Sequence, residues 1–209
     1  MKPKMILAMS LLTLMVSCRV VPLWGPASTP LPGWRSLVSD LLVEDSAFPA
    51  GWARMRDLPQ GSLTDPTINH VYRSWWGQAQ GKGKAEQAIW RAYSIVDAED
   101  KYTELRQSQF QPRVTPQYDL FVEFAPPTEI SFQSQVANEF YLACGWWGVA
   151  YCEVVARYRN YVVDMSFELE AEYDGDVTHG LTYPEIEVVV RAMDARFAEA
   201  MEEFYPSSP

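Results

Sequence analysis

Few residues in this 209-residue chain have the reactivity of a nucleophile, a base or a soft metal ligand: two histidines and three cysteines. His70 and His179 lie in different halves of the sequence. Zinc sites draw His, Cys and carboxylates at short spacings, and a serine triad needs a histidine base. Neither H-E-x-x-H nor G-x-S-x-G is present. Acids are plentiful, 27 in all, so neighbouring carboxylates alone do not mark an acid–base pair. No catalytic residue and no cofactor is expected. One acidic stretch, DGDVTHGLTYPE, sets Asp174, Asp176 and Thr178 at positions 1, 3 and 5 of a calcium loop, with Glu185 at position 12. The glycine required at position 6 is His179, however, and a strand rather than a helix precedes the loop. Asp174, Asp176 and Glu185 are a weak calcium candidate. The plainer alternative is a solvated turn.

The cysteines divide by position. The chain opens MKPKMILAMSLLTLMVSC. Lys2 and Lys4 form a positive n-region, Met5 to Val16 is apolar apart from Ser10 and Thr13, and small Ser17 precedes Cys18. That order is a secretory signal. Its apolar run is about a dozen residues, short of the roughly 20 needed to span a bilayer. Met15-Val16-Ser17-Cys18 resembles a lipobox, with Met where Leu is usual. Residues 1–17 are therefore expected to be a lipoprotein signal peptide. Cys18 is expected to carry the diacylglyceryl group and an N-acyl chain such as palmitate, since two or more chains anchor stably where one is marginal. The alternative is an ordinary secretory signal with a cysteine nearby.

Export places Cys144 and Cys152 in an oxidising compartment. They flank GWWGVAY, and at the end of a hairpin they would face each other across strands, close enough to bridge. A structural disulfide is expected. The spacing is not C-x-x-C, which argues against a redox pair.

Tryptophan is the remaining unusual resource. Trp75-Trp76 and Trp146-Trp147 each precede a glycine, and Trp90 lies between. Adjacent strand residues point to opposite faces, so one ring of each pair can enter a core while the other faces outward as a stacking platform. Trp75, Trp76, Trp146 and Trp147 are candidate ligand-binding residues. The alternative is that all pack internally.

These residues need a frame. Residues 18–33 contain the anchor cysteine and four prolines, an extended tether; residues 34–209 are expected to form one domain. Hydrophobic residues are 48% of the chain, ample for a core. The net charge is −10, and loss of Lys2 and Lys4 with the leader makes the rest more acidic. That opposes nucleic acid and anionic lipid surfaces as partners.

SLVSDLLVED has helical spacing and AFPAGW breaks it; DLPQGSLTDPT reads as loop. NHVYRSWWG and AEQAIWRAYSI read as strands separated by the turn QAQGKGK. VDAEDKYTELRQSQF reads as helix, and QYDLFVEF as a further strand inside a proline-bearing loop. ISFQSQVANEFYLAC reads as one long strand. VAYCEVVARY and YVVDMSFELE form a hairpin about Arg159-Asn160, where Asn tolerates positive φ. The chain closes with a helix. Thr182 and Glu185 form its capping box, Pro184 suits its first turn, and Ile186, Val189, Val190, Met193, Phe197, Met201 and Phe204 form its apolar stripe. The fold class is α+β: an antiparallel sheet with helices packed on one face. The shared Trp-Trp-Gly hints at a duplicated ββα unit.

LLVEDSAFPAGW, the cysteine pair, the paired strands VARYRNYVVDM and the closing helix together resemble one group. It is the extracytoplasmic sensor-like lipoprotein domains related to the extracellular domain of a mycobacterial serine/threonine kinase of the PknH type. The resemblance covers about residues 36–204, through element order. It implies a domain that binds an undefined ligand, and it carries no catalytic residues across.

The expectation is a non-enzymatic, sensor-like or partner-binding domain. It sits on the extracytoplasmic face of the cell membrane, held by its lipid anchor. Its partners are the membrane, through that lipid, and an unknown small ligand or envelope protein. The alternative is a structural or accessory protein of a cell-envelope complex. A concave pocket favours the first and a large exposed apolar patch the second.

Overall fold

A computed structural model describes residues 37–58, 69–77, 83–111, 121–147, 149–173 and 175–204. The expectations for residues 1–36, signal peptide, Cys18 and tether, lie outside the described residues. Nine strands and two α-helices are described: β1 (Trp52–Leu58), β2 (His70–Gly77), β3 (Lys84–Arg91), α1 (Ile95–Gln109), β4 (Phe121–Ala125), β5 (Glu139–Trp147), β6 (Ala150–Tyr158), β7 (Tyr161–Glu168), β8 (Ala171–Tyr173), β9 (Asp176–Thr178) and α2 (Tyr183–Phe204). Seven strands form one sheet in the order β1-β2-β3-β7-β6-β5-β4, every neighbouring pair antiparallel. β8 and β9 make a separate small hairpin. The class is α+β.

The helices do not share a face. Val155 and Val162 meet Ala98 and Leu105 of α1. Ala156, Tyr158, Tyr161, Val163, Met165 and Phe167 join the core that contains Ile186, Val189, Val190, Met193 and Phe197 of α2. Side chains alternate across a strand, so 155 and 162 point away from 156 and 163. This corrects the expectation of helices on one face. The reason is legible in β6 and β7: Val154-Val155-Ala156 and Val162-Val163 are buried residue after residue, as in strands covered on both sides. The structure does not bring out a duplicated ββα unit. The first half holds a three-strand meander and the second a four-strand one, and α1, which follows the first, packs on strands of the second.

α2 starts as expected. Thr182 N–H donates to Glu185 Oε2 at 2.8 Å, and its hydroxyl donates to the same oxygen at 2.9 Å. α1 is capped by Ser94, whose Oγ accepts from Asp97 N–H.

Four local expectations are revised. SLVSDLLVED is not a helix but contains two 3₁₀ turns, Val38–Leu41 and Asp45–Ala47. Leu41, Leu42 and Val43 are all buried, which one helical face cannot do for three consecutive residues. Sheet side chains hold the chain extended there: Val43 N–H donates to Gln87 Oε1 at 2.9 Å, and Arg73 donates to Val43 O. β1 is a strand where none was expected, and it takes in the start of the stretch read as loop. Paired to β2 with a bulge between Arg54 and Arg56, it leaves Met55 exposed, so its own pattern is irregular. The long strand read from Ile130 begins only at Glu139. Ahead of it Ser134 Oγ accepts from the amides of Val136 and Ala137 and donates to Asp194, closing a side-chain turn that competes with strand. In the β6–β7 hairpin, Tyr158 pairs with Tyr161 as expected, but positive φ falls on Arg159, at 55°. Asn160 instead ties to Ala92, accepting from its amide at 2.8 Å.

Candidate functional site

Cys144 and Cys152 pair directly across β5 and β6, with Cα atoms 4.0 Å apart and sulfurs 2.03 Å apart. They stand at disulfide distance, with Cys152 wholly buried.

The tryptophans part ways as strand alternation requires. Trp75 is wholly buried, stacked on Phe48 at 4.6 Å, and its Nε1 donates to Asp45 at 2.9 Å. Burial works to raise the Asp45 carboxyl, but this bond and those from Arg54 outweigh it and hold the group below its ordinary value. Trp76 is 50% exposed. Trp146 is buried in the α2-side core, so Trp75 and Trp146 are not available to a ligand. The side chain of Trp147 lies outside the described residues.

The calcium expectation loses its ligands where they are described. Glu185 is held by Thr182, and the Thr178 hydroxyl accepts from Ala150 N–H at 3.0 Å. Asp174 and the Asp176 side chain lie outside the described residues. Among the described residues no three His, Cys, Asp or Glu are grouped to hold a metal ion. His70 stacks on Trp90 at 4.7 Å, and His179 is exposed.

What sequence reasoning did not single out is a groove on the sheet face that carries α1. The helix covers one end of this face; beyond Gln109 the floor lies open, forming a cavity of about 280 Å³. Tyr72 of β2, Glu86 and Ala88 of β3, Asp164 and Ser166 of β7, Tyr151 and Glu153 of β6 and Phe124 of β4 line it, with Gln109 and Gln111 at the helix end. Strand register arranges the floor in rows. Glu86 pairs with Ser166, which pairs with Glu153. In the next row Tyr72 pairs with Ala88, and Ala88 with Asp164. Strands lie about 4.8 Å apart, so the backbones of Glu86 and Glu153 flank Ser166 at a separation of about 10 Å. Trp76 stands on the same face as Tyr72, four residues further along β2.

The polar groups of the floor are held. Tyr72 OH donates to Glu86, which also pairs with Lys84. Burial, then this bond, pushes the Tyr72 phenol up to about 12. Gln109 Nε2 donates to Asp164 Oδ2 at 2.8 Å. The other oxygen, Asp164 Oδ1, is closed to solvent and has no hydrogen-bond partner among the described residues. The lining offers aromatic faces, hydroxyls, amides and carboxylates. Among the described lining residues there is no histidine, cysteine, lysine or arginine. One sequence signal marked this floor: Tyr72, Glu86, Glu153, Asp164 and Ser166 are the polar members of alternating strands, with no apolar stripe in α1 long enough to cover them.

No family model matches the chain, and neither a curated protein nor a solved structure matches it. Among the described residues no helix is long and apolar enough to cross a membrane.

Proposed function

We propose that this chain is a lipid-anchored, extracytoplasmic binding protein whose α1-side groove takes a small ligand without transforming it. The groove carries the reading: a preformed concavity with aromatic walls and a few convergent polar groups is the usual form of a small-molecule site. Its volume suits a ligand of small size. The N-terminal signal ending at Cys18 supports the anchor, and the paired cysteines fit an oxidising compartment. The resemblance to PknH-type sensor domains points the same way.

A thermal-shift screen of sugars, amines, carboxylates and short peptides tests the groove. A ligand at 100 times its Kd adds about 2.7 kcal/mol. Ala88→Trp, which fills the floor from a half-buried position, should abolish the shift while leaving the fold intact. A shift equal in wild type and Ala88→Trp, or no shift with any compound, overturns the reading. For the anchor, Cys18→Ser should leave the membrane fraction and cease to incorporate a labelled palmitate analogue; continued membrane retention overturns that part.

A second reading, an accessory protein of an envelope complex, draws on one observation. Tyr93, Ile95 and Val96 are 63%, 43% and 63% exposed at the start of α1, an apolar cluster of the kind partner surfaces use. Loss of a co-purifying protein on Ile95→Asp and Val96→Asp would favour it.

A further inference from the structure

We infer that the groove and the exposed Trp76 ring beside it together hold a short neutral oligosaccharide, one sugar ring stacked on Trp76 and the next seated in the cavity. The inference rests on the groove being a binding site and names the class of ligand it takes. Trp75 and Trp146 are buried, whereas Trp76 is half exposed on the groove's own face of the sheet. Trp76 pairs with Lys84, and Ser74, two residues back on the same face, pairs with Glu86. Trp76 and Glu86 are thus diagonal neighbours, about 7–8 Å apart and within reach of an aromatic side chain. Glu86 lines the cavity, so the ring extends the site along β2. From Tyr72 to Trp76 the strand rises about 13 Å, more than a single sugar ring covers.

The chemistry of this surface suits a sugar. A pyranose has an apolar face of C–H groups and a rim of hydroxyls. The indole face of Trp76 covers the first. The hydroxyls both donate and accept, so they answer the Glu86 carboxylate, the Ser166 hydroxyl and the Gln111 amide alike. Lys84 pairs with Glu86, so the carboxylate nearest Trp76 already has its counter-charge. The net charge of −10 repels an anionic glycan. An extended peptide is a poorer occupant, because peptides add to sheet edges through backbone pairing, and β3, β7 and β6 of the floor have strands on both sides. An acyl chain is poorer too: it would strip water from Glu86 and Ser166 and return no hydrogen bond.

The test takes tetrasaccharides of glucose, mannose, galactose and N-acetylglucosamine, each beside its monosaccharide, with tetragalacturonate and tetra-alanine as the acidic and peptide probes. Binding to the full chain is followed by calorimetry, tryptophan emission and amide chemical-shift mapping. A neutral tetrasaccharide should perturb residues of β2, β3 and β7 and bind about tenfold or more tightly than its monosaccharide. Trp76→Ala should lower that affinity about tenfold, the worth of one stacked ring face, with the melting temperature nearly unchanged, and Trp76→Tyr should restore most of it. Ala88→Trp should lower it as well, since the second sugar loses its seat. Tetragalacturonate or tetra-alanine bound as tightly in the groove overturns the ligand class and leaves the groove reading standing. Sugar binding unaltered by Trp76→Ala or by Ala88→Trp overturns the shared site. Binding by no neutral tetrasaccharide also overturns the inference; the groove reading is then judged on the Ala88→Trp screen with the other compounds.

Discussion

Gln109 Nε2 donates to Asp164 Oδ2 at 2.8 Å, joining the last residue of α1 to the middle of β7. This bond ties the wall of the groove to its floor across 55 positions of sequence. Gln109→Leu removes it and deprives the partly buried Asp164 carboxylate of this donor. The expected loss is about 1–2 kcal/mol in urea denaturation. Hydrogen exchange should quicken in the last turn of α1 and not in α2, which packs on the opposite face.

The two neighbouring tryptophans should respond in opposite ways. Trp75→Ala empties a wholly buried site against Phe48 and deprives Asp45 of a donor; its expected cost is about 3–5 kcal/mol. Trp76→Ala removes a half-exposed ring and should stay within about 0.5 kcal/mol. Chemical denaturation of both variants checks the contrast, and equal costs would contradict the assigned faces.

Positions 144 and 152 should yield no free thiol in native protein, read by alkylation and mass spectrometry. The bridge closes a short loop, with a separation of 8, so its removal should cost about 2 kcal/mol. For a chain of this size that lowers the melting temperature by about 4–8 °C.

His70 gives stability a dependence on mild acid. Burial against Trp90, then the nearby Lys101 charge, lowers its pKa below 6.5. The folded state thus holds fewer protons on this ring than the unfolded state just below pH 6.5. Stability is full above that value and falls as pH drops through 6.5 toward the folded pKa. An NMR titration of the ring should give a midpoint below 6.5. Lys101→Met should move that midpoint upward without restoring it fully, because the burial remains.

Asp194 is buried between α2 and β6, where it accepts from Ser134 and from Tyr158 OH, the latter at 2.8 Å. Burial, then this carboxylate, raises the Tyr158 phenol far above its ordinary value. Asp194→Ala strands two hydroxyls and should cost about 2–4 kcal/mol. Ser134→Ala should chiefly loosen residues 130–138, seen as faster exchange at Val136 and Ala137.

Local chemistry made several elements readable in advance. The Thr182–Glu185 box and its apolar stripe define α2, because capping and 3.6-residue periodicity are properties of a single segment. β2, β3, β6 and β7 were likewise apparent from β-branched and aromatic runs. The cysteine pairing was legible from a hairpin in an exported chain, and the separation of Trp75 from Trp76 was one of the two readings that strand alternation left open. β1 was not legible, since its bulge breaks the two-residue alternation. The segment from Leu37 was misread because its apolar spacing suits a helix, whereas Gln87 and Arg73, distant in sequence, hold it extended.

Composition and periodicity thus specified an antiparallel sheet, its closing helix and the side each strand residue takes. Only the tertiary structure decided that α1 and α2 lie on opposite faces and that α1 stops short of the far end of its face. Those are outcomes of where helices dock, and docking depends on non-local surfaces. The groove follows from that choice: Tyr72 and Glu86 come from one strand pair, β2–β3, Glu153 and Asp164 from another, β6–β7, and the four share a floor only once β3 has paired with β7.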